Sequence, residues 1–213
     1  MRTELVLIRS RIPESPGSKA STMFIQTEDT PNPAALKFLP GKAVLESGVA
    51  DFITRAAAER SPLARLLFEI EGVAGVFLGS DFITVTKAPD KDWQVLKPLV
   101  LGAVMDHFTS GAPVLEGGGV VGEDESEDEE FPDAGVDGEI ISQIKDLIDT
   151  RVRPSVAQDG GDIIYKGFKD GTVYLSLRGS CAGCPSSTAT LKMGIENMLR
   201  HYVPEVLQVE AIA

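Results

Sequence analysis

DGGDIIYKGFKDGTVYLSLRGSCAGCP, residues 159–185, decides the fold of the carboxy-terminal part of the chain. Residues 162–168 and 172–178 are two β-prone runs flanking Asp170-Gly171, a dipeptide that readily closes a two-residue hairpin because both positions tolerate positive φ. Val173, Leu175 and Leu177 alternate with Thr172, Tyr174, Ser176 and Arg178, so one face of the hairpin is buried. Upstream, Ile140, Ile141, Ile144, Leu147, Ile148 and Val152 recur at helical spacing behind Asp137 as N-cap, and Pro154 is expected to stop that helix. Downstream, Pro185 suits the first turn of a helix over residues 186–202, followed by a short strand around residues 206–211. The predicted order is α-β-β-α-β.

Working outward, residues 117–139 read GGGVVGEDESEDEEFPDAGVDGE, with ten carboxylates and no Lys or Arg, which supplies most of the net charge of −12. Such a segment can neither bury apolar area nor relieve its self-repulsion by folding, so residues 117–136 are read as a disordered acidic linker. A solubilising spacer is one role for it, and an acidic tail for docking a metal or partner is the other. The linker separates residues 23–116 from residues 137–213, each large enough for a modest core. Residues 1–22 carry Arg2, Arg9, Arg11 and Lys19 against Glu4 and Glu14, with an apolar patch too short for a secretory signal. They are read as a disordered tail or an overextended start ahead of Met23, with a targeting peptide as the alternative.

In the amino-terminal part, Thr30-Pro31-Asn32-Pro33 is turn material and residues 35–39 look like a strand. Val44, Val49, Phe52, Ile53, Ala56 and Ala57 fit a loose helical pattern over residues 44–59. Ser61-Pro62 opens a further helical turn. Residues 72–77 and 82–86 read as strands around Gly79-Ser80-Asp81. Residues 92–108 form an amphipathic helix, with Trp93, Leu96, Val100, Val104 and Phe108 on one stripe. His107, near the end of that helix, is expected to be a surface residue stabilised by the helix dipole. The fold class is α+β, as two small domains.

Composition excludes several functions. The chain has 213 residues, 43% of them hydrophobic and 24% charged, and no apolar run approaches the ~20 residues that span a bilayer. Its acidic balance argues against a nucleic-acid partner, which needs basic side chains to neutralise phosphates. Two cysteines cannot build a disulfide framework, so a reducing, cytoplasmic setting is expected, with the mitochondrial matrix as the alternative if residues 1–22 are a targeting peptide.

Those cysteines form the one concentrated piece of chemistry, Cys181-Ala182-Gly183-Cys184, between a strand and a helix. Cys184 falls at or next to the N-cap, where the helix dipole favours thiolate over thiol, and Arg178 and Lys192 are placed to add to that. Spacing alone leaves three readings open. The pair is a thiol–disulfide couple, half of a four-thiolate metal site, or two small buried residues. An antiparallel hairpin before the motif fits poorly with a thioredoxin-type βαβ unit. Metal sites usually want four ligands, which two copies about a two-fold axis would supply.

Residues 151–163 (RVRPSVAQDGGDI), Asp170-Gly171, residues 179–187 (GSCAGCPSS), residues 191–196 (LKMGIE) and Val203-Pro204-Glu205-Val206 closely resemble the carboxy-terminal domain of the NifU family. Residues 26–33 (QTEDTPNP), 60–65 (RSPLAR) and 81–86 (DFITVT) resemble the amino-terminal domain of Nfu-type members. The resemblance implies a non-enzymatic iron–sulfur scaffold or carrier that holds a 4Fe-4S cluster between two subunits through Cys181 and Cys184. It implies an upstream cluster donor and apo iron–sulfur proteins as clients. The cysteines of full-length NifU's scaffold and ferredoxin-like domains are missing, which favours delivery over synthesis. Gly179 and Gly183 would let backbone approach the cluster sulfides, and Ser186 and Ser187 would be placed to hydrogen-bond them. A thiol–disulfide oxidoreductase is the alternative function.

Overall fold

The computed structural model describes residues 24–116 and 138–212. The expected tail, the linker over residues 117–136 and the expected N-cap Asp137 lie outside them. Two α+β lobes, each with its own sheet and core, account for the described residues.

The amino-terminal sheet contains β1 (Gln26–Asp29), β2 (Ala35–Leu39), β3 (Ala50–Phe52), β4 (Val73–Leu78) and β5 (Ile83–Lys87) in the order β1-β2-β5-β4-β3, all antiparallel. Helices α1 (Pro62–Phe68) and α2 (Trp93–Ser110) cover one face. The period-two geometry of strands divides the side chains between the two faces. Phe38, Ile83, Leu78 and Ala50 lie in register and meet Leu63, Leu67, Val100 and Val104 in the core. One residue along, Glu28, Lys37, Thr84, Phe77 and Asp51 form a rung on the opposite face. Lys37, Thr84 and Phe77 are buried there beneath the carboxy-terminal lobe.

Caps and turns act where the sequence places them. The Ser61 hydroxyl accepts from Ala64 N at 3.0 Å, the Asp92 carboxylate accepts from Gln94 N at 2.8 Å, and Gly111 ends α2 in the left-handed region. Residues 44–59 differ from the helical reading. Gly48 has φ of 72°, and Ala50 and Phe52 point inward from β3 against β4, with only a short 3-10 turn, Ala57–Arg60, following. Alternation of Ala50 and Phe52 across a strand outweighed a helical spacing that six apolar residues matched by chance. His107 is also corrected: it is 4% exposed, packed edge-on against Phe108, and not a surface residue.

In the carboxy-terminal lobe, α3 (Gly138–Leu147) runs through a wider π-helical turn, Ile148–Val152, into α4 (Arg153–Gln158). Pro154 therefore does not stop the helix. It sits in the first turn of α4, where its missing N–H has no intrahelical partner to lose, and the π turn ahead of it takes up the disruption. Then come β6 (Gly161–Lys169), β7 (Thr172–Gly179), α5 (Pro185–Tyr202) and β8 (Gln208–Ile212), giving the predicted α-β-β-α-β order with β8 parallel to β7. Asp170 and Gly171, at φ of 49° and 80°, turn the hairpin. Ile144, Ile148, Val173, Leu175 and Leu199 form the centre of this core.

Candidate functional site: the cysteine loop

The strand β7 ends at Gly179 and α5 begins at Pro185, so the five-residue loop carrying both cysteines is stretched between the sheet edge and a helix N-terminus. Cys184 is the N-cap of α5 and its carbonyl accepts from Thr188 N at 2.9 Å. It is half-buried, in a recess shared with Gly183, Thr188 and Lys192. Gly183 has φ of 76° and open space around it, so it is the joint at which the loop turns into the helix.

Cys181 has a different environment. Its side chain is 6% exposed and lies over Gly161, and with Pro31, Val156, Leu191 and Ile195 it lines a cleft of about 640 Å³. Burial pushes its thiol up to about 11, the Ser180 hydroxyl 3.8 Å away opposes that shift, and the charges of Asp159 and Asp162 add to it. Desolvation inside the lobe thus favours the thiol at Cys181, whereas the helix-dipole expectation concerns Cys184 at the N-cap. Arg178, expected to help, is buried in β7 opposite Asp162, whereas Lys192 stands beside Cys184.

The loop's backbone is held from several sides. Thr188 Oγ1 donates to Cys181 O at 3.1 Å, tying the loop to the first turn of α5. Ser180 Oγ donates to Asp159 O. Asp159-Gly160-Gly161 must be glycine-rich at its last two positions: a methyl on Gly160 would stand 2.8 Å from Thr84 Oγ1, and one on Gly161 would stand 2.7 Å from Cys181 Sγ. Below this turn, Arg153 clamps the buried Asp162 carboxylate with Nε at 2.9 Å and Nη2 at 2.8 Å, a bidentate pair that anchors β6 to α4. The same hydrogen bonds raise the Arg153 guanidinium further above its ordinary value.

Sequence reasoning found both cysteines and missed the groups that hold them. Asn32 donates from Nδ2 to Ser180 O at 3.1 Å and to Ala182 O at 3.2 Å, from the other lobe. Its Thr-Pro-Asn-Pro setting signals a turn, and nothing in a turn signal says what the amide faces. Gly179 is tightly packed rather than open: at φ of 64°, a methyl there would stand 2.8 Å from Gly160 O and 2.9 Å from the Phe77 ring, so its glycine serves both the turn and the lobe contact. The side chains of Ser186 and Ser187 lie outside the described ones.

Among the described residues, no group of three or more His, Cys, Asp or Glu side chains gathers as a metal site. One copy thus offers a pair of thiols at a helix start. Fold and site together define a non-thioredoxin, two-lobed protein built to present one C-x-x-C pair. The family described as "Scaffold protein Nfu/NifU N terminal" matches residues 25–111, and "NifU-like domain" matches residues 144–210. The chain belongs to this Nfu/NifU scaffold family. It is 56% identical over 191 residues, 89% of the chain, to the human "NFU1 iron-sulfur cluster scaffold homolog, mitochondrial", of which it covers 72%. It is 50% identical over 197 residues, 91% of the chain, to "NifU-like protein 4, mitochondrial" of Arabidopsis thaliana, of which it covers 66%. The solution structure of a NifU-like protein from Saccharomyces cerevisiae aligns with 50% of the chain and 96% of its own length, at 25% identity and a TM-score of 0.42.

Proposed function

We propose that this chain is a carrier of iron–sulfur clusters, taking a 4Fe-4S cluster from an upstream donor and passing it to apo-proteins without enzymatic turnover. The observation that carries this reading is the pair of cysteines in one C-x-x-C loop at the start of α5, in a chain of the Nfu/NifU scaffold family with no further cysteine. Cys181 and Cys184 are the ligands in this reading. The donor chemistry fits, since two thiolates per chain are half of a Cys₄ set, and a homodimer supplies the other half. The cluster is cargo. The protein supplies soft anionic ligands on a loop with a glycine joint at Gly183, from which a client's thiolate can displace them one at a time.

The working units in this reading are residues 23–116, a linker over residues 117–136, and residues 137–213, with cluster binding in the last. The relatives' printed names favour the mitochondrial setting over the cytoplasmic one expected from cysteine usage. Thiol–disulfide exchange gains no support from the relatives, and a thiol held protonated at Cys181 is a poor nucleophile at neutral pH. Among the described residues no helix is long and apolar enough to cross a membrane.

Anaerobic reconstitution of the full chain, followed by iron and sulfide analysis and native mass spectrometry, tests the reading. About four irons per two chains is expected for a shared Cys₄ site, and Cys181→Ser or Cys184→Ser should each abolish it. A loaded species that stays monomeric would refute sharing.

A further inference from the structure

The turn Thr30-Pro31-Asn32-Pro33 joins β1 to β2, and its asparagine is 4% exposed. Every polar atom of that side chain has a fixed task. Oδ1 accepts from Ala34 N at 3.0 Å, which closes the turn on itself, while Nδ2 donates to Ser180 O and Ala182 O. The two carbonyls flank Cys181 in the chain, so one amide grips the backbone on both sides of a cysteine in the other lobe. The amide orientation follows from its partners, because carbonyls require the NH₂ end and the Ala34 N–H requires the oxygen.

The contact is one of a set that converges on the same two turns. Thr84 Oγ1 donates to Gly160 O at 2.7 Å, and Thr84 is fully buried. Lys37 Nζ donates to Gln158 O at 3.0 Å, placing a cation at the carboxy-terminal end of α4, where the helix's unpaired carbonyls favour it. Phe77 packs on Gly179. Three residues of one sheet rung, together with Asn32, thus touch residues 158–160 and 179–182, the two turns that enclose Cys181.

We propose that the amino-terminal lobe is a latch on the cysteine loop, with Asn32 as its positioning residue, and that the latch must release before Cys181 is open to an incoming ligand. The latch builds on the carrier reading only for its purpose, since its geometry stands without a cluster. With the lobes joined, Cys181 lies buried in the carboxy-terminal core, its flanking carbonyls held by Asn32 and its cleft bordered by Pro31, while Cys184 is only half-buried, so the pair is split into one covered and one more reachable thiol. Sharing a cluster requires both.

Alkylation of the apo full-length chain by iodoacetamide, followed site by site by mass spectrometry, separates the two thiols. Each native rate is divided by that of the same thiol in the urea-unfolded chain. Asn32→Asp keeps the acceptor that closes the turn but replaces the donor with a carboxylate facing two carbonyls. It should raise the normalised Cys181 rate about fivefold or more, the factor that losing one net hydrogen bond carries, with Cys184 changed less than about twofold. Thr84→Val, an isosteric loss of the rung's buried donor, should raise it in the same direction. If Asn32→Asp fails to fold, Thr84→Val alone decides. Equal normalised rates for the two cysteines in the wild-type chain, or a Cys181 rate unmoved in the folded variants, would overturn the latch. A wild-type chain that takes up no iron or sulfide would instead overturn the carrier reading and leave the labelling result standing.

Discussion

The sulfur of Cys181 lies over the Cα of Gly161, so closely that a methyl group there would stand 2.7 Å from it and 2.6 Å from Arg178 O. One contact is to a side chain and the other to backbone, so neither can be relieved by rotating a distant group. Gly161→Ala should lower stability by about 1–3 kcal/mol, the usual range for overpacking, and should loosen the cysteine loop. Urea denaturation of the purified chain reads the first effect, and faster Cys181 alkylation reads the second. An unchanged unfolding midpoint would contradict the packing described.

The Cys181 thiol, pushed up to about 11 from an ordinary 9.0, makes a statement about alkaline stability. Its proton is held more tightly folded than unfolded, so between these two values the unfolded chain binds fewer protons. Stability is therefore retained below pH 9 and falls as the pH rises toward 11, by an amount of order 2 kcal/mol for one such group. Cys181→Ala should flatten that decline. Chemical denaturation at pH 8 and pH 10.5, wild type against variant, measures the difference.

His107 has the opposite sign. Burial lowers its pKa from 6.5, with the Lys42 charge helping, and Nε2 finds no hydrogen-bond partner. The unfolded chain takes up a proton near pH 6.5 and the folded chain only at lower pH, so stability falls as the pH drops through that window. His107→Leu should remove part of the loss between pH 7 and pH 5. A wild-type stability that is flat over this range would show that the imidazole is protonated without cost.

Arg153 and Asp162 form a pair in which one partner is far more buried than the other, with side-chain exposures of 41% and 6%. Arg153→Met should cost about 2–4 kcal/mol, because it strands a buried carboxylate. Arg153→Met with Asp162→Leu should recover much of that. A double-mutant cycle on urea midpoints checks it, and additive single effects would show that the pair is uncoupled.

The carboxy-terminal lobe was almost wholly legible in the sequence, because its signals are local. Asp170-Gly171 turns a hairpin wherever strands flank it, and Pro185 beside Cys184 marks a helix start. Pro154 misled because a helix can pass a proline by widening the turn before it. Residues 44–59 misled because six apolar positions satisfy more than one period, and only the partner strand β4 shows that Ala50 and Phe52 alternate. The two cysteines stood out by chemistry. What holds Cys181 did not, since its high pKa comes from burial beside Asp159 and Asp162 and its backbone is gripped by Asn32, all brought to it by folding. His107 was misplaced for the same reason: helix position gives no measure of burial.

The bond from Asn32 to Ser180 spans 148 positions of sequence, whereas the contacts that build each core lie within one lobe. Contacts of such separation carry the largest loop-closure cost when the chain is still open. Each lobe can complete its own sheet and helices before the rung of Lys37, Thr84 and Phe77 meets the turns at residues 158–160 and 179–182. Refolding should therefore show two events: collapse of the separate lobes, then a slower, concentration-independent docking step. The cysteine loop would lack the Asn32 grip on its backbone throughout the interval between them.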